Sequence, residues 1–208
     1  MELLVGPGSG WREVMKKVVN LKDGTEVTIR PMRNDDLERS YEFFRELPEE
    51  DRKYLRRDVT NLQVVRHRIR SMRAEKVKRL VVTHEDAIVA DGALEFEGKG
   101  WDRDAVELRL IVSQPFQRKG LGMRMARELY LLAAKKRVEE IVVRMMQPQI
   151  AARRIFERLG FFEDTELRDT MMNLGGERKD LIVMRCNLKS IWIKLEDYFT
   201  DTDWQRTR

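Results

Sequence analysis

Residues 106–127 read VELRLIVSQPFQRKGLGMRMAR and carry more information about the fold than any other stretch of the chain. Apolar side chains alternate over Ala105–Val112, which predicts a β-strand. A loop with two glycines, Gly120 and Gly122, follows this strand. The apolar periodicity then changes to that of an amphipathic helix over Gly120–Arg137. A strand that leads through a glycine-containing loop into a helix is a common way to bind phosphate groups.

The loop from Gln117 to Gly122 has the chemistry that such binding needs. The first N–H groups of a helix lack partners within the helix and carry a positive partial charge, so they can bind an anion directly. Glycine has no Cβ, which lets the backbone approach the anion closely. The alternative is an ordinary turn between a strand and a helix. We expect phosphate binding by the six loop residues Gln117, Arg118, Lys119, Gly120, Leu121 and Gly122.

Short strands and helices alternate along the rest of the chain. Strands are predicted at residues 26–30, 77–83, 88–96, 105–112, 140–145, 161–166 and 181–186. Helices are predicted at residues 34–47, 62–76, 120–137 and 149–159, and residues 11–20 fit a further short helix. This order predicts an α/β (α+β) fold in which helices cover both faces of a mixed sheet. The expected division is an N-terminal extension at 1–22, one domain at 23–188 and a C-terminal helical extension at 189–208.

Composition narrows the functional classes. A chain of 208 residues suits one domain with a sizeable core. Its 41 basic and 36 acidic residues give a net charge of +5, which permits an anionic ligand but does not indicate a nucleic-acid partner. Cys186 is the one cysteine, so a reducing compartment, the cytoplasm, is expected. No apolar run approaches the ~20 residues of a membrane span, and residues 1–10 do not read as a secretory signal, so we expect no membrane partner.

The loop and a later segment together resemble the GNAT superfamily of N-acetyltransferases. The loop pattern of that family is Gln/Arg-x-x-Gly-x-Gly/Ala, which residues 117–122 fit fully. A second family segment, Asn-x-x-Ala-x-x-x-Tyr-x-x-x-Gly-Phe, falls on residues 149–161 with its spacing kept. Two of its residues differ, since Gln149 replaces the asparagine and Phe156 replaces the tyrosine. The resemblance covers about residues 24–188.

This resemblance implies both a fold and a co-substrate. The fold is a GNAT-like, mostly antiparallel sheet that is splayed in the centre, between the strand ending at Val112 and the strand ending near Met145. The co-substrate is acetyl-CoA or another short acyl-CoA, with its pyrophosphate on the loop and its pantetheine in the splay. Besides the loop, the cofactor-binding positions are then Leu110, Ile111, Val112, Gln149 and Phe156.

Within the superfamily, the beginning of the domain looks most like the catalytic domain of Pat-type protein lysine acetyltransferases. The matching stretch runs from Asp23 to Pro31 and continues into the helix with Phe43 and Phe44. In that group a catalytic glutamate opens the central strand, and Glu107 occupies that place. The resemblance implies acetyl transfer to a protein lysine. A small amine as the acceptor, and a noncatalytic acyl-CoA-binding sensor or interaction module, remain the alternatives.

Glu107 also has the chemistry of a general base. It lies on the opposite face of its strand from Val106 and Leu108. The amine of an acceptor must lose a proton, because free lysine has a pKa of about 10.4. A carboxylate beside the cleft can accept that proton directly or through water. The alternative is a structural ion pair with Arg109 or across the strands, and a cation so close would weaken the base.

Four other residues have ordinary structural explanations. Phe156 cannot protonate a leaving thiolate, so its side chain is expected in the core. Cys186 has no base paired with it in the sequence, and a small buried core residue is the better interpretation than an acyl-carrying nucleophile. His67 and His84 lack a partner histidine at ligand spacing, so no metal is expected.

The C-terminal segment carries an apolar stripe at helical spacing. Its members are Leu188, Ile191, Trp192, Leu195, Tyr198 and Phe199. We expect an amphipathic helix whose stripe covers an apolar patch on this domain or on the second subunit of a homodimer.

Overall fold

A computed structural model of the chain describes residues 16–52, 55, 57–73, 77–96, 105–136, 138–146, 150–165, 169–172, 176 and 178–190. Its strands are β1 Lys17–Asn20, β2 Glu26–Pro31, β3 Val77–His84, β4 Ala87–Phe96, β5 Ala105–Val112, β6 Glu140–Met146, β7 Phe162–Glu163, β8 Asp169–Met172 and β9 Arg178–Asn187. Its α-helices are α1 Leu37–Glu46, α2 Glu49–Arg52, α3 Leu62–Arg73, α4 Leu121–Lys135 and α5 Ile150–Arg158.

All nine of these strands belong to one sheet. They follow the order β1-β2-β3-β4-β5-β6-β9-β7, and β8 pairs with β9 beside β7. Every pairing is antiparallel except that of β5 with β6. The predicted fold class, a mixed and mostly antiparallel sheet with helices, is therefore confirmed.

Helices cover both faces of the sheet because apolar side chains point to either side of its central strands. On one face, α4 packs its Leu121, Met125 and Leu129 into the core that contains Leu94 and Leu108. The other face is covered by α1 and α3, whose buried side chains form a second core with β3 and β4: Phe43, Phe44, Val65, Ile69, Val81 and Ile88. The sheet thus has a separate apolar core on each of its faces.

The parallel pair β5–β6 is incomplete, and this positions the candidate site. Only three residue pairs join the two strands, and the last is Glu107 with Val142. In contrast, β5 stays paired with β4 as far as Val112, and β6 stays paired with β9 as far as Met146. The two strands therefore diverge after their first three pairs. We call the gap between residues 108–112 and 143–146 the open seam; it is the central splay that the resemblance implied.

The structure differs from the sequence interpretation at the edges of the sheet. Residues 17–20, expected within a short helix, form β1 instead, because each of them pairs with a residue of β2. The strand expected at 161–166 is limited to β7, and β8 was not predicted. The chain is helical at 188–190, but the rest of the stripe, including Trp192, lies outside the described residues. In the part of the chain that the structure describes, no helix is long and apolar enough to cross a bilayer.

Candidate active site

The start of α4 has the features that favour binding of an anion. Gly120 precedes the helix with a φ of 88°, a left-handed conformation that strains any residue with a Cβ. The hydrogen-bond ladder of the helix begins with the Arg124 N–H, which donates to the Gly120 carbonyl at 3.2 Å. The N–H groups before Arg124 therefore point out of the helix start, as expected for a first turn. The first turn contains no acidic residue that would compete for them.

Gly122 has a second role that the sequence did not suggest. A Cβ at this position would lie 3.0 Å from the Cδ1 atom of Ile155 in α5. That distance is tighter than ordinary van der Waals contact, so the glycine permits α4 and α5 to pack closely. Part of the loop sequence is therefore explained by helix packing.

The polar loop side chains are held by neighbouring groups. Gln117 Nε2 donates to the Val112 carbonyl at 2.9 Å, which fixes the loop to the end of β5. Lys119 Nζ forms a 2.7 Å ion pair with Asp23 and lies 5.3 Å from the ring centroid of Phe116. The hydrogen bond from Lys119 lowers the pKa of Asp23 to about 2. The ammonium group of Lys119 is thus paired with Asp23, whereas the Arg118 side chain is exposed.

The remaining loop residue is apolar, and the loop also borders an open pocket. Leu121 is fully buried and packs in the core, so only its backbone can contact a ligand. A pocket of about 490 Å³ borders the beginning of the loop. Its lining residues are Gln114, Pro115, Gln117 and Arg118.

The backbone of β5 presents polar groups to the open seam. The Ser113 N–H donates to the Val89 carbonyl at 3.0 Å. Hydrogen-bonded and non-hydrogen-bonded pairs alternate along an antiparallel ladder, so Ile111 directs its N–H and C=O towards β4. Leu110 and Val112 direct theirs towards the seam, although the Val112 carbonyl already accepts from Gln117. Of the three positions expected to bind a cofactor through backbone groups, two therefore face the seam.

Glu107 lies at the closed end of the seam and is 2% exposed. Its Oε1 atom accepts a hydrogen bond from Arg109 Nε at 3.3 Å. Its Oε2 atom accepts one from Arg144 Nη1 at 2.9 Å. Arg144 belongs to β6, so its side chain crosses the gap where the two strands separate. The ion pair with Arg109 that was weighed as the structural alternative is present, and the role of Glu107 as a base remains a prediction.

The Glu107 carboxylate belongs to a chain of ion pairs on the α1/α3 face of the sheet. Arg109 Nε also lies 3.4 Å from Glu95 Oε2, and Glu95 Oε1 lies 3.8 Å from Arg79 Nη2. The chain continues through Asp91, which pairs with Arg79 and, at 3.2 Å, with Arg68 of α3. Burial and the nearby Arg79 lower the pKa of Arg68 to about 10. Since buried charges are costly unless they are paired, these contacts hold the charged side chains in position.

Phe156 lies in the core, as its chemistry suggested. Its side chain is 4% exposed, and its ring packs edge-on against Phe161 with the centroids 5.2 Å apart. Gln149, the other altered position of the family segment, lies outside the described residues.

Cys186 is 1% exposed and belongs to the same core. Burial raises the pKa of its thiol, although a hydrogen bond with Tyr130 acts in the opposite direction. Burial and the neighbouring thiol also raise the pKa of Tyr130 to about 12. A buried thiol with a raised pKa holds little thiolate at neutral pH, which argues against an acyl-cysteine route.

Cys186→Ala is accordingly expected to keep turnover near that of the wild-type protein. The thiol lies on the core side of β9, and alanine leaves only a small gap in place of its sulfur. Steady-state release of CoA, with a thermal melt to establish folding, checks this. A variant that melts like the wild type but has lost turnover would instead point to an acyl-cysteine intermediate.

Two residues at the site were missed by sequence reasoning. Arg144 is the one charged residue between Ile141 and Met146, and a charge inside an apolar strand was the available signal. Lys22 has side-chain carbons 3.5–3.8 Å from the position of a Cβ on Gly120. It was assigned to an extension, and nothing in its local pattern connects it with a loop almost one hundred residues later.

Comparisons with known proteins agree with this geometry. The sequence model of the family described as acetyltransferase (GNAT) domain matches residues 26–162. No curated protein sequence matches the chain significantly. The GNAT domain of PAT from S. lividans has a similar structure, with a TM-score of 0.70 and 17% identity over 83% of this chain and 96% of that one.

Two further structures share the fold at low identity. The ribosomal-protein-S5-alanine acetyltransferase of Vibrio fischeri gives a TM-score of 0.68 and 12% identity, covering 77% of this chain and 92% of its own. The yncA protein of Salmonella typhimurium, solved with its cofactor acetyl-CoA, gives 0.63 and 18%, covering 78% and 94%. The family match spans well over half of the chain and includes the seam, the loop and α4. The chain therefore belongs to the GNAT family of acetyltransferases.

Proposed function

We propose that this acetyltransferase moves an acetyl or other short acyl group from acyl-CoA to a primary amine, and that the acceptor is a protein lysine. The observation that carries the proposal is one arrangement: an open seam with an anion-receptive helix start beside one end and Glu107 at the other. The family match supports acetyl transfer itself. The acceptor, the chain length of the acyl group and the role of each residue belong to the proposal.

The described residues fit an acyl-CoA. The N–H groups at the start of α4 suit the pyrophosphate. The backbone groups of Leu110 and Val112 suit the amide groups of pantetheine, since nothing on β6 pairs with them across the seam. The positions of Gln149 and Phe156 complete the proposed binding site by resemblance to the family. When bound, acyl-CoA supplies an acyl group that is activated as a thioester.

Glu107 is proposed to accept the proton that the acceptor amine must lose, directly or through water. Two guanidinium groups hold its carboxylate in place, although cations so close weaken it as a base. The amine then attacks the acyl carbon in a ternary complex, with backbone N–H groups polarising the carbonyl. Since CoA thiolate is a tolerable leaving group, no acid is required at the position of Phe156.

The choice of a protein lysine depends on two likenesses. The beginning of the domain resembles the Pat group in sequence, and the GNAT domain of S. lividans PAT is among the similar structures. The Vibrio fischeri protein is named for a ribosomal protein as its acceptor, so protein acceptors occur among similar structures. A small amine remains the second candidate for the acceptor.

The test is release of free CoA in the presence of acceptors. The protein is incubated with acetyl-, propionyl- and butyryl-CoA and either a mixture of lysine-containing proteins or a set of polyamines and amino acids, and mass spectrometry locates the acyl group. Modified lysines that depend on the enzyme support the proposal. Acylated small amines without modified proteins would show that the acceptor is a small amine and not a protein lysine. Binding of acyl-CoA without release in any mixture would identify a sensor.

A further inference from the structure

We propose that Lys22, in the turn between β1 and β2, is an additional ligand of the cofactor pyrophosphate; this rests on the proposed function. Lys22 lies outside the family match, which begins at residue 26. The loop motif therefore does not include it. Three observations carry the proposal: the contact of Lys22 with Gly120, the anchoring of its turn, and the distribution of charge around the start of α4.

The Lys22 side chain lies directly over the glycine that precedes α4. Its Cε, Cγ and Cδ atoms are 3.5, 3.6 and 3.8 Å from the position that a Cβ on Gly120 would occupy. The ammonium group is one bond beyond Cε, so it lies close to Gly120. The aliphatic part of Lys22 is thus at ordinary contact distance from the position of that Cβ, and its charge lies near the residue that precedes α4.

The turn that carries Lys22 is fixed to the loop at two points. The Lys22 N–H donates to the Lys119 carbonyl at 3.1 Å. The next residue, Asp23, forms the 2.7 Å ion pair with Lys119 Nζ. Within the turn, the Leu21 N–H donates to the Thr25 carbonyl at 2.9 Å, and the Leu21 side chain is buried in the core. Lys22 is therefore held at the loop by contacts that do not depend on its own charge.

The charges around the helix start favour an anion there. The N-terminus of a helix is its positive end, where a cation is unfavourable unless a negative group lies nearby. Lys119 has Asp23 as its partner, but among the residues that the structure describes no carboxylate pairs with Lys22. A pyrophosphate at the loop would supply the negative charge for both Lys22 and the N–H groups. We assign the pyrophosphate rather than the 3′-phosphate of CoA, because the helix start is the place where Lys22 lies.

Lys22→Met tests the assignment because methionine keeps an aliphatic stem over Gly120 and removes only the charge. Lys16→Met is the matched control, since Lys16 is exposed and precedes the opposite end of β1. Titration calorimetry with CoA and with dephospho-CoA, which lacks the 3′-phosphate, measures the affinities. We expect Lys22→Met to weaken both by about 5- to 20-fold and Lys16→Met to weaken neither. The Kd of Lys22→Met should also depend less steeply on salt concentration.

Each outcome has a separate meaning. If the wild-type protein binds neither CoA nor dephospho-CoA, the proposed function itself is wrong. Wild-type protein that binds both, together with a folded Lys22→Met variant of equal affinity, would overturn the role of Lys22 alone. A loss of affinity for CoA but not for dephospho-CoA would also overturn the proposed role of Lys22. The Lys22 ammonium group would then interact with the 3′-phosphate and not with the pyrophosphate. If Lys22→Met melts early, Lys22→Gln repeats the test, and Lys22→Arg should bind CoA as the wild type does.

Discussion

Glu107→Gln is expected to lower kcat by about 10²–10⁴-fold, the usual range for loss of a general base. The amide keeps the shape of the side chain but cannot accept a proton from the acceptor amine. The affinity for CoA should stay near that of the wild type, since Glu107 lies at the opposite end of the seam from the loop. Steady-state CoA release over a range of pH, with calorimetry for CoA binding, provides both measurements.

Glu95→Gln is the matched control for this substitution. Glu95 pairs with Glu107 across β4 and β5, shares Arg109 with it, and carries the same functional group. Both variants remove one carboxylate from the same chain of ion pairs, so both should lose some stability. Only Glu107→Gln should lose the chemical step. Equal losses of kcat in the two folded variants, or a wild-type rate at every pH for Glu107→Gln, would make Glu107 a structural residue.

Gly120→Glu is expected to weaken CoA binding by more than about 100-fold. A residue with a Cβ is strained at the φ of 88° found here, at a cost of about 1–3 kcal/mol. The new side chain would also extend beside Lys22 and bring a negative charge to the helix start. Repulsion between this carboxylate and the pyrophosphate adds to the loss. Calorimetric titration of the folded variant with CoA measures the effect.

Gly176→Glu separates backbone strain from the loss of the site. Gly176 has a φ of 79° and open space where its Cβ would lie, so the same change imposes similar strain at a glycine that is not part of the loop. We expect this control to lose a comparable amount of stability and to bind CoA normally. A Gly120→Glu protein that is folded and keeps wild-type affinity would show that the pyrophosphate does not bind at the start of α4.

The central strands and long helices follow from sequence because their apolar periodicity is set by burial. The predicted strand at residues 105–112 coincides with β5, and the predicted helix at 120–137 differs from α4 by one or two residues at each end. The edge strand β1 was not predicted because its four residues, KVVN, are mostly exposed and gain their conformation from pairing with β2. Tertiary pairing of that kind leaves little trace in the local sequence.

The parts of the site that are contiguous in sequence could be predicted, whereas the parts that come from separate elements could not. Loop residues 117–122 are contiguous, so their glycines and charges could be recognised together. Arg144 and Lys22 reach the site from other elements, and only the folded sheet brings them to Glu107 and Gly120. Lys119 was expected to bind phosphate, but the structure pairs its ammonium group with Asp23 because the β1–β2 turn docks there. The splay came from the family resemblance, since the apolar pattern of β5 and β6 does not reveal where their pairing stops.

The open seam also has a consequence for how long the protein survives in a cell. Beyond their first three pairs, β5 and β6 leave backbone groups that a pantetheine chain would bridge, so an acyl-CoA would complete the sheet as a missing strand does. A ligand that binds only the native state stabilises it by about 2.7 kcal/mol at one hundred times its Kd. Unfolded molecules are the ones that proteases degrade, and a change of 1–2 kcal/mol can alter abundance several-fold. Starvation for acyl-CoA would therefore reduce the amount of this enzyme as well as its rate, which couples protein turnover to metabolic supply.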